Sequence, residues 1–167
     1  ELHRYPDGAC ATLRRAIGER WGLDAARIVC GSGSDELLAL LIRNYAGPGD
    51  EVLYSEYGFL MYRISTLAAG ATPVVAPDTD YACDVTAILG KVSPRTRLVM
   101  VANPNNPTGT FLRRDEMRRL HAGLPPGVVL VIDAAYAEFI DDPDYEPGVE
   151  LVDANEVARN PLVPGKD

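Results

Sequence analysis

No apolar run in this chain approaches the roughly 20 residues that a membrane-spanning helix needs, and its opening residues, Glu1-Leu2-His3-Arg4, lack the basic-then-apolar pattern of a secretory signal. A cytoplasmic location is the expectation. Cysteine is scarce: Cys10, Cys30 and Cys83 are odd in number, widely spaced and without a Cys-x-x-Cys pair or a companion His cluster. Neither a disulfide framework nor a zinc site is suggested, and the three read as small buried apolar residues. Net positive charge is also absent. At a formal net charge of −8 the chain lacks the basic balance that phosphate neutralisation requires, so nonspecific nucleic-acid binding is not expected. No internal repeat, low-complexity tract or interdomain linker stands out.

What remains is an ordinary globular composition, 47% apolar and 24% charged over 167 residues, for which one domain is the default. The basic clusters Arg14-Arg15 and Arg113-Arg114 with Arg118-Arg119 fall on predicted helices beside Glu19, Asp115 and Glu116, the pattern of a solvated, salt-bridged helix face. Helical stretches alternate with short β-branched runs that end in small or turn residues, which signals an α/β fold with a largely parallel sheet. Helices are expected at 9–21 (Leu13, Ile17 and Trp21 on one face), 35–45, 57–69, near 85–89 and at 113–122. Strands are expected at 27–30, 51–55, 72–76, 98–102 and 128–132. Beyond Asp141 the chain is rich in Pro, Asp and Glu, and periodicity fades.

Polar or glycine-rich segments follow the strands at 27–30, 98–102 and 128–132, at the carboxyl ends where open α/β sheets bind ligands. Gly31-Ser32-Gly33-Ser34-Asp35-Glu36 would present the first N–H groups of a helix to an anion such as phosphate. The same residues are also ordinary turn and capping chemistry. A dinucleotide fingerprint does not fit, because its third glycine falls on Glu36 and no acidic residue ends the second strand. In Asn103-Pro104-Asn105-Asn106-Pro107-Thr108-Gly109, two prolines fix the backbone around amide side chains that can donate and accept. Asp133 delivers a carboxylate to the end of a Val/Ile strand, where the alternative role is a helix cap. Tyr57 and Tyr136 each stand just after a strand, placed to stack or hydrogen-bond, or simply to pack.

Together with Arg4-Tyr5-Pro6-Asp7, Tyr57-Gly58-Phe59 and Asp133-Ala134-Ala135-Tyr136-Ala137-Glu138-Phe139, these segments resemble, in order and spacing, the fold-type I pyridoxal-phosphate-dependent aminotransferases, and within them the histidinol-phosphate group. The resemblance runs from about Arg4 to Asn155. It implies a three-layer α/β/α large domain over 1–155, a divergent tail over 156–167, and a fold that is incomplete, with two later strands and the small domain missing. It implies pyridoxal 5'-phosphate as cofactor. The backbone amides of Ser34 and Asp35 would hold its phosphate, Tyr57 would stack on the ring, Asn106 and Tyr136 would hydrogen-bond the phenolic oxygen, and Asp133 would pair with the ring nitrogen. That pairing keeps the ring an electron sink. Tyr5 would reach the neighbouring subunit's cofactor, which implies a homodimer, with an amino donor and a 2-oxo acid as small-molecule partners.

The departures from the family bear on activity. The family's cofactor-linking lysine follows a serine in a later strand, whereas this chain has only Lys91 and Lys166. Lys91 lies between a helix and a strand, and Lys166 sits in Pro161-Leu162-Val163-Pro164-Gly165-Lys166-Asp167, without the serine. The expectation is therefore amino transfer between histidinol phosphate and 2-oxoglutarate by family, with the chain inactive alone. A non-catalytic cofactor-binding or dimerising remnant, and a lyase or decarboxylase of the same superfamily, remain open at this point.

Overall fold

The computed structural model describes residues 5–154, and the chain forms two compact units that divide after Leu37. In the first unit α1 spans Ala11–Trp21. The Asp7 carboxylate accepts the N–H groups of Ala9 and Ala11 at 3.0 and 2.9 Å, and these bonds hold its carboxyl below the usual range. The helix closes on Gly22. A 3-10 turn follows at Ala25–Arg27, capped by the Asp24 side chain. Arg14 donates twice to the Ala25 carbonyl, at 2.9 and 2.7 Å, so it braces backbone rather than pairing with Glu19. The expected apolar face of α1 stays largely open, Leu13 and Trp21 being 53% and 48% exposed.

The strand expected at 27–30 does not form. Ile28 has extended dihedrals, but residues 28–30 pair with no strand among the described residues. Extended backbone becomes a strand only when a neighbour takes its N–H and C=O groups. The cysteines need correction too. All three are half-buried rather than buried, and the Cys10 thiol is raised by burial first and then by the neighbouring Cys30. Burial, with the Asp78 and Asp84 carboxylates beside it, pushes the Cys83 thiol up to about 12, so that thiol is inert.

α2 (Ser34–Tyr45) starts in the first unit and carries Leu38 and Ile42 into the core of the second. Then follow β1 (Glu51–Ser55), α3 (Leu60–Ala68), β2 (Thr72–Ala76), α4 (Val85–Lys91), β3 (Thr96–Ala102), α5 (Arg114–Gly123) and β4 (Val129–Asp133). A 3-10 turn at Ala137–Phe139 leads to α6 (Val149–Ala154), which the fading periodicity had hidden. Leu151 of α6 packs on the core. The sheet is all parallel in the order β2-β1-β3-β4, so the four later strands are neighbours.

Period-two alternation sorts each strand between two cores. Val52, Tyr54, Leu98, Met100 and Ala102 meet Leu38, Ile42 and Tyr62 of α2 and α3. Leu53, Val99 and Val101 meet Val85, Ile88, Met117 and Leu120 of α4 and α5. That is the three-layer arrangement. β1 is buried throughout, whereas β4 is half-buried at all five positions and pairs only with β3 among the described residues. Among the described residues β4 is thus an open apolar edge. The other edge, β2, contains Pro73, a residue confined to edges because it has no N–H to donate.

The basic residues at the start of α5 pair mostly with the acidic stretch after Asp141. Arg113 meets Asp144, and Arg114 and Arg118 share Glu146, while Arg119 pairs with Glu116 inside the helix. At the amino ends of the strands, the buried Glu51 carboxylate accepts from the Ser93 hydroxyl and the Arg95 guanidinium. The Ser93 and Arg95 hydrogen bonds hold Glu51 below its ordinary value of 4.5. A depressed carboxyl stabilises the fold fully above its unfolded value and loses that contribution as pH falls through the lower folded value. Urea unfolding followed from about pH 6 to about pH 3 should therefore show a falling midpoint, with part of the fall absent in Glu51→Gln.

Candidate active site

Because all four strands are parallel, their carboxyl ends reach one edge of the sheet, with Ser55 level with Ala76 and Ala102 level with Asp133. Asp133 is the last residue of β4. Its backbone carbonyl accepts the Asn103 N–H at 2.9 Å. Its half-buried carboxylate accepts the Tyr62 hydroxyl at Oδ2, 3.1 Å, and the Ala135 N–H at Oδ1, 3.3 Å. Tyr62 is wholly buried on α3, and burial, together with the Asp133 charge, raises its hydroxyl far above the usual range. It therefore serves as a fixed donor that orients the carboxylate.

Tyr57 stands in the turn after β1, closed by the Gly58 N–H on the Ser55 carbonyl at 2.9 Å. A Cβ on Gly58 would lie 2.9 Å from that carbonyl oxygen, so the turn has room only for glycine. The Tyr57 ring is 39% exposed. Asp78, in the loop after β2, accepts the Tyr57 N–H at 3.0 Å. Burial raises the Asp78 carboxyl, against the lowering effect of that N–H.

The loop after β3 is organised from within. Asn103, wholly buried, accepts the Leu112 N–H at Oδ1, 2.7 Å, and its carbonyl accepts the Tyr145 hydroxyl at 2.8 Å. Asn105 is buried, and its amide donates to the Tyr57 carbonyl at 3.1 Å and to Thr108 Oγ1 at 2.9 Å. The Asn103-Pro104 and Asn106-Pro107 peptides are cis. Asn106 is half-buried. Tyr136 follows β4 with its ring 6.1 Å from that of Phe139 and is 45% exposed.

Tyr57, Asn106, Asp133 and Tyr136 thus all stand at or just after strand ends of the second unit. Ser34, Asp35 and Tyr5 belong to the first. There, Gly33 takes a left-handed φ of 85°, Ser34 opens α2, and the Glu36 carboxylate accepts the Ser32 N–H at 2.6 Å. One amide of this loop is therefore already satisfied by an anion of the chain itself. Tyr5 is fully exposed.

Sequence reasoning missed Tyr62, Asp78 and Tyr145 as parts of this edge, and it took Asn105 only as one amide of the Asn103–Gly109 segment. Tyr62 had a signal, a phenol on the apolar face of a helix, whose hydroxyl needs a partner once buried. Asp78 had none, since a carboxylate in a turn is commonplace.

The donor set fits a flat, protonated heteroaromatic ring. A carboxylate can face a ring N–H, an exposed tyrosine ring offers a stacking surface, and an amide and a phenol can meet a ring oxygen. Buried oxygens without a partner, Asn105 Oδ1 and Asp78 Oδ1, mark the edge as polar beyond what its own contacts need.

Residues 1–159 match the family described as aminotransferase class I and II, and the chain belongs to that family. Its relatives narrow the comparison. The chain is 60% identical over 156 residues to the histidinol-phosphate aminotransferase of Paramagnetospirillum magneticum, covering 93% of this chain and 43% of that protein. It is 62% identical over 152 residues to that of Rhodospirillum centenum, covering 91% and 42%. Among solved structures, the histidinol-phosphate aminotransferase of Sinorhizobium meliloti in complex with pyridoxal-5'-phosphate superposes with a TM-score of 0.81 at 28% identity, over 86% of this chain and 40% of that one. The enzyme of Clostridium acetobutylicum gives 0.76 at 25%, over 91% and 45%. The chain thus spans 43% and 42% of the two curated relatives' length, and its fold is part of their large domain.

Replacing Tyr62 with Phe removes the hydroxyl that Asp133 accepts without opening a cavity. Unfolding free energy should fall by about 1–2 kcal/mol, read from a lower urea midpoint at unchanged slope.

Proposed function

We propose that this chain is the cofactor-binding portion of a pyridoxal-phosphate-dependent aminotransferase acting on histidinol phosphate and 2-oxoglutarate. The observation that carries the reading is the Asp133 carboxylate, delivered to the sheet's edge and oriented by Tyr62, on a residue whose backbone carbonyl is tied to Asn103. The identity of about 60% to two histidinol-phosphate aminotransferases supports the substrate.

When bound, pyridoxal phosphate supplies an electron sink for the carbanion of the substrate. Asp133 would pair with the ring nitrogen and keep its proton, Tyr57 would stack on the ring, and Asn106 and Tyr136 would hydrogen-bond the phenolic oxygen. For the first unit, the proposal is that the Ser34 and Asp35 amides bind the phosphate, since the first N–H groups of a helix have no carbonyl of their own. Tyr5 would serve the cofactor of a second copy in a cytoplasmic homodimer. The division into 1–155 as cofactor domain and 156–167 as tail belongs to the same reading, and the tail lies outside the described residues.

Lysine chemistry limits what the chain does alone. Lys91 ends α4, on the amino-end side of β3, about 15 Å from the carboxyl edge by strand rise. Lys166 is outside the described residues. Transamination needs an amine at the ring that binds the aldehyde and shuttles a proton, so cofactor binding without turnover is the expected behaviour, closer to a non-catalytic module than to a lyase.

Two measurements check this. Asp133→Ala should weaken pyridoxal-phosphate binding about tenfold or more, and Tyr57→Ala about fivefold; unchanged affinity in both rules out the site. Borohydride reduction of the loaded chain, followed by peptide mapping, should leave Lys166 unlabelled, and an assay with histidinol phosphate and 2-oxoglutarate should show no turnover. Specific labelling of Lys166 together with turnover would overturn that expectation.

A further inference from the structure

Tyr57 is held more firmly than a half-exposed tyrosine in a turn requires. Its N–H donates to Asp78 Oδ2 at 3.0 Å and its carbonyl accepts from Asn105 Nδ2 at 3.1 Å. Both backbone polar groups of the residue are thus taken by side chains from two other loops. The contacts then run on. The Asn105 amide also donates to Thr108 Oγ1, whose hydroxyl meets that of Thr110 at 2.8 Å, and Thr110 donates to the Tyr81 carbonyl at 3.1 Å. The rings close the circuit, with the Tyr81 and Tyr57 centroids 5.2 Å apart and the planes tilted by 45°. The loops after β1, β2 and β3 are therefore tied together around one aromatic pair.

Tyr81 reaches this place through a backbone conformation that bulky residues avoid. Asp80 and Tyr81 have φ of 50° and 62°, while Thr79 and Ala82 exchange hydrogen bonds of 3.0 and 2.9 Å across them. Asp tolerates the left-handed region, whereas a tyrosine there crowds its Cβ against the carbonyl. Such strain persists where surrounding contacts over-determine it, and it clusters at functional sites. Asp78 is also out of the ordinary, a half-buried residue whose Oδ1 is shielded from solvent without a hydrogen-bond partner. A two-residue hairpin turn takes positive φ at both central residues, but such turns favour Asn, Asp and Gly, so the tyrosine at the second position is what chain reversal alone does not need.

We infer that Asp78, Asn105 and Tyr81 are positioning residues for the Tyr57 ring, holding its backbone and covering one side of it so that the other side faces a planar heteroaromatic cofactor. Stacking gains most when the ring is already oriented, because no rotational freedom is then lost on binding. The inference rests on the cofactor reading above and adds to it the residues that set the stacking plane.

The test uses the full 167-residue chain and pyridoxal phosphate, with affinity read by absorbance titration. Asp78→Ala should weaken binding about fivefold, and Asp78→Asn, which keeps an oxygen for the Tyr57 N–H, should stay within about twofold of wild type. Added to Tyr57→Ala, the Asp78→Ala change should have no further effect. An equal loss in both backgrounds means a merely structural role and overturns the inference. Amide hydrogen exchange at Tyr57 gives a second reading without cofactor: slow in wild type and Asp78→Asn, fast in Asp78→Ala. Exchange that is fast in wild type, or indifferent to Asp78→Ala, shows that the clamp does not exist. A wild-type chain that binds no pyridoxal phosphate removes the positioning role together with the cofactor reading, and the exchange result then separates that failure from failure of the clamp.

Discussion

The hydrogen bond from the Asn103 N–H to the Asp133 carbonyl continues the β3–β4 ladder one step past its last paired residues. It sets the height of Asp133 relative to the loop that follows β3. A slip of one residue in that register would turn the carboxylate to the other face of the sheet, since side chains alternate along a strand. It would also separate Asp133 from Tyr62, which reaches it from α3 on one face only. The register is specified in turn by the two cores, because Val99 and Val101 pack on one side and Leu98 and Met100 on the other, all nearly inaccessible to water. Site geometry at this edge is therefore a consequence of core packing some residues earlier.

The stretch after Asp141 reinforces the same point from outside. Tyr145 donates to the Asn103 carbonyl, its ring stands edge-on to Phe111 at 5.7 Å, and Glu146 is shared by two arginines of α5. Exposed ion pairs contribute little individually. Here they matter by direction, because they hold Tyr145 where its hydroxyl closes a carbonyl that the sheet leaves open. Burial pushes that phenol up to about 12, so it remains a donor at any ordinary pH.

The sheet was legible in the sequence because β-branched runs bounded by Gly, Pro and Asp encode strand and turn locally. Its strand order is not encoded locally. The residues at 27–30 show the limit of local reading: the run is as β-prone as its neighbours, yet a strand is a property of a pair. Tyr57, Asn106, Asp133 and Tyr136 could be singled out because strand ends are readable. Tyr62, 71 residues from Asp133, and Asp78, 21 from Tyr57, could not, since those meetings are made by the fold. The contact between Cys10 and Cys30 was invisible for the same reason, spacing along the chain having suggested three unrelated thiols.

The strand order also has a temporal side. β1 lies inside the sheet, β2 is added on one flank, β3 on the other and β4 outside β3, each next strand arriving after a single intervening helix. Every pairing in the described sheet thus joins segments already made when the newer one leaves the ribosome, and sheet growth can keep pace with synthesis without waiting for distant sequence. The segment at 28–30 is different. It emerges before all four strands and is paired with none of them among the described residues, so the backbone leading into the Gly31–Ser34 loop is made before the sheet and is not fixed by that sheet's growth.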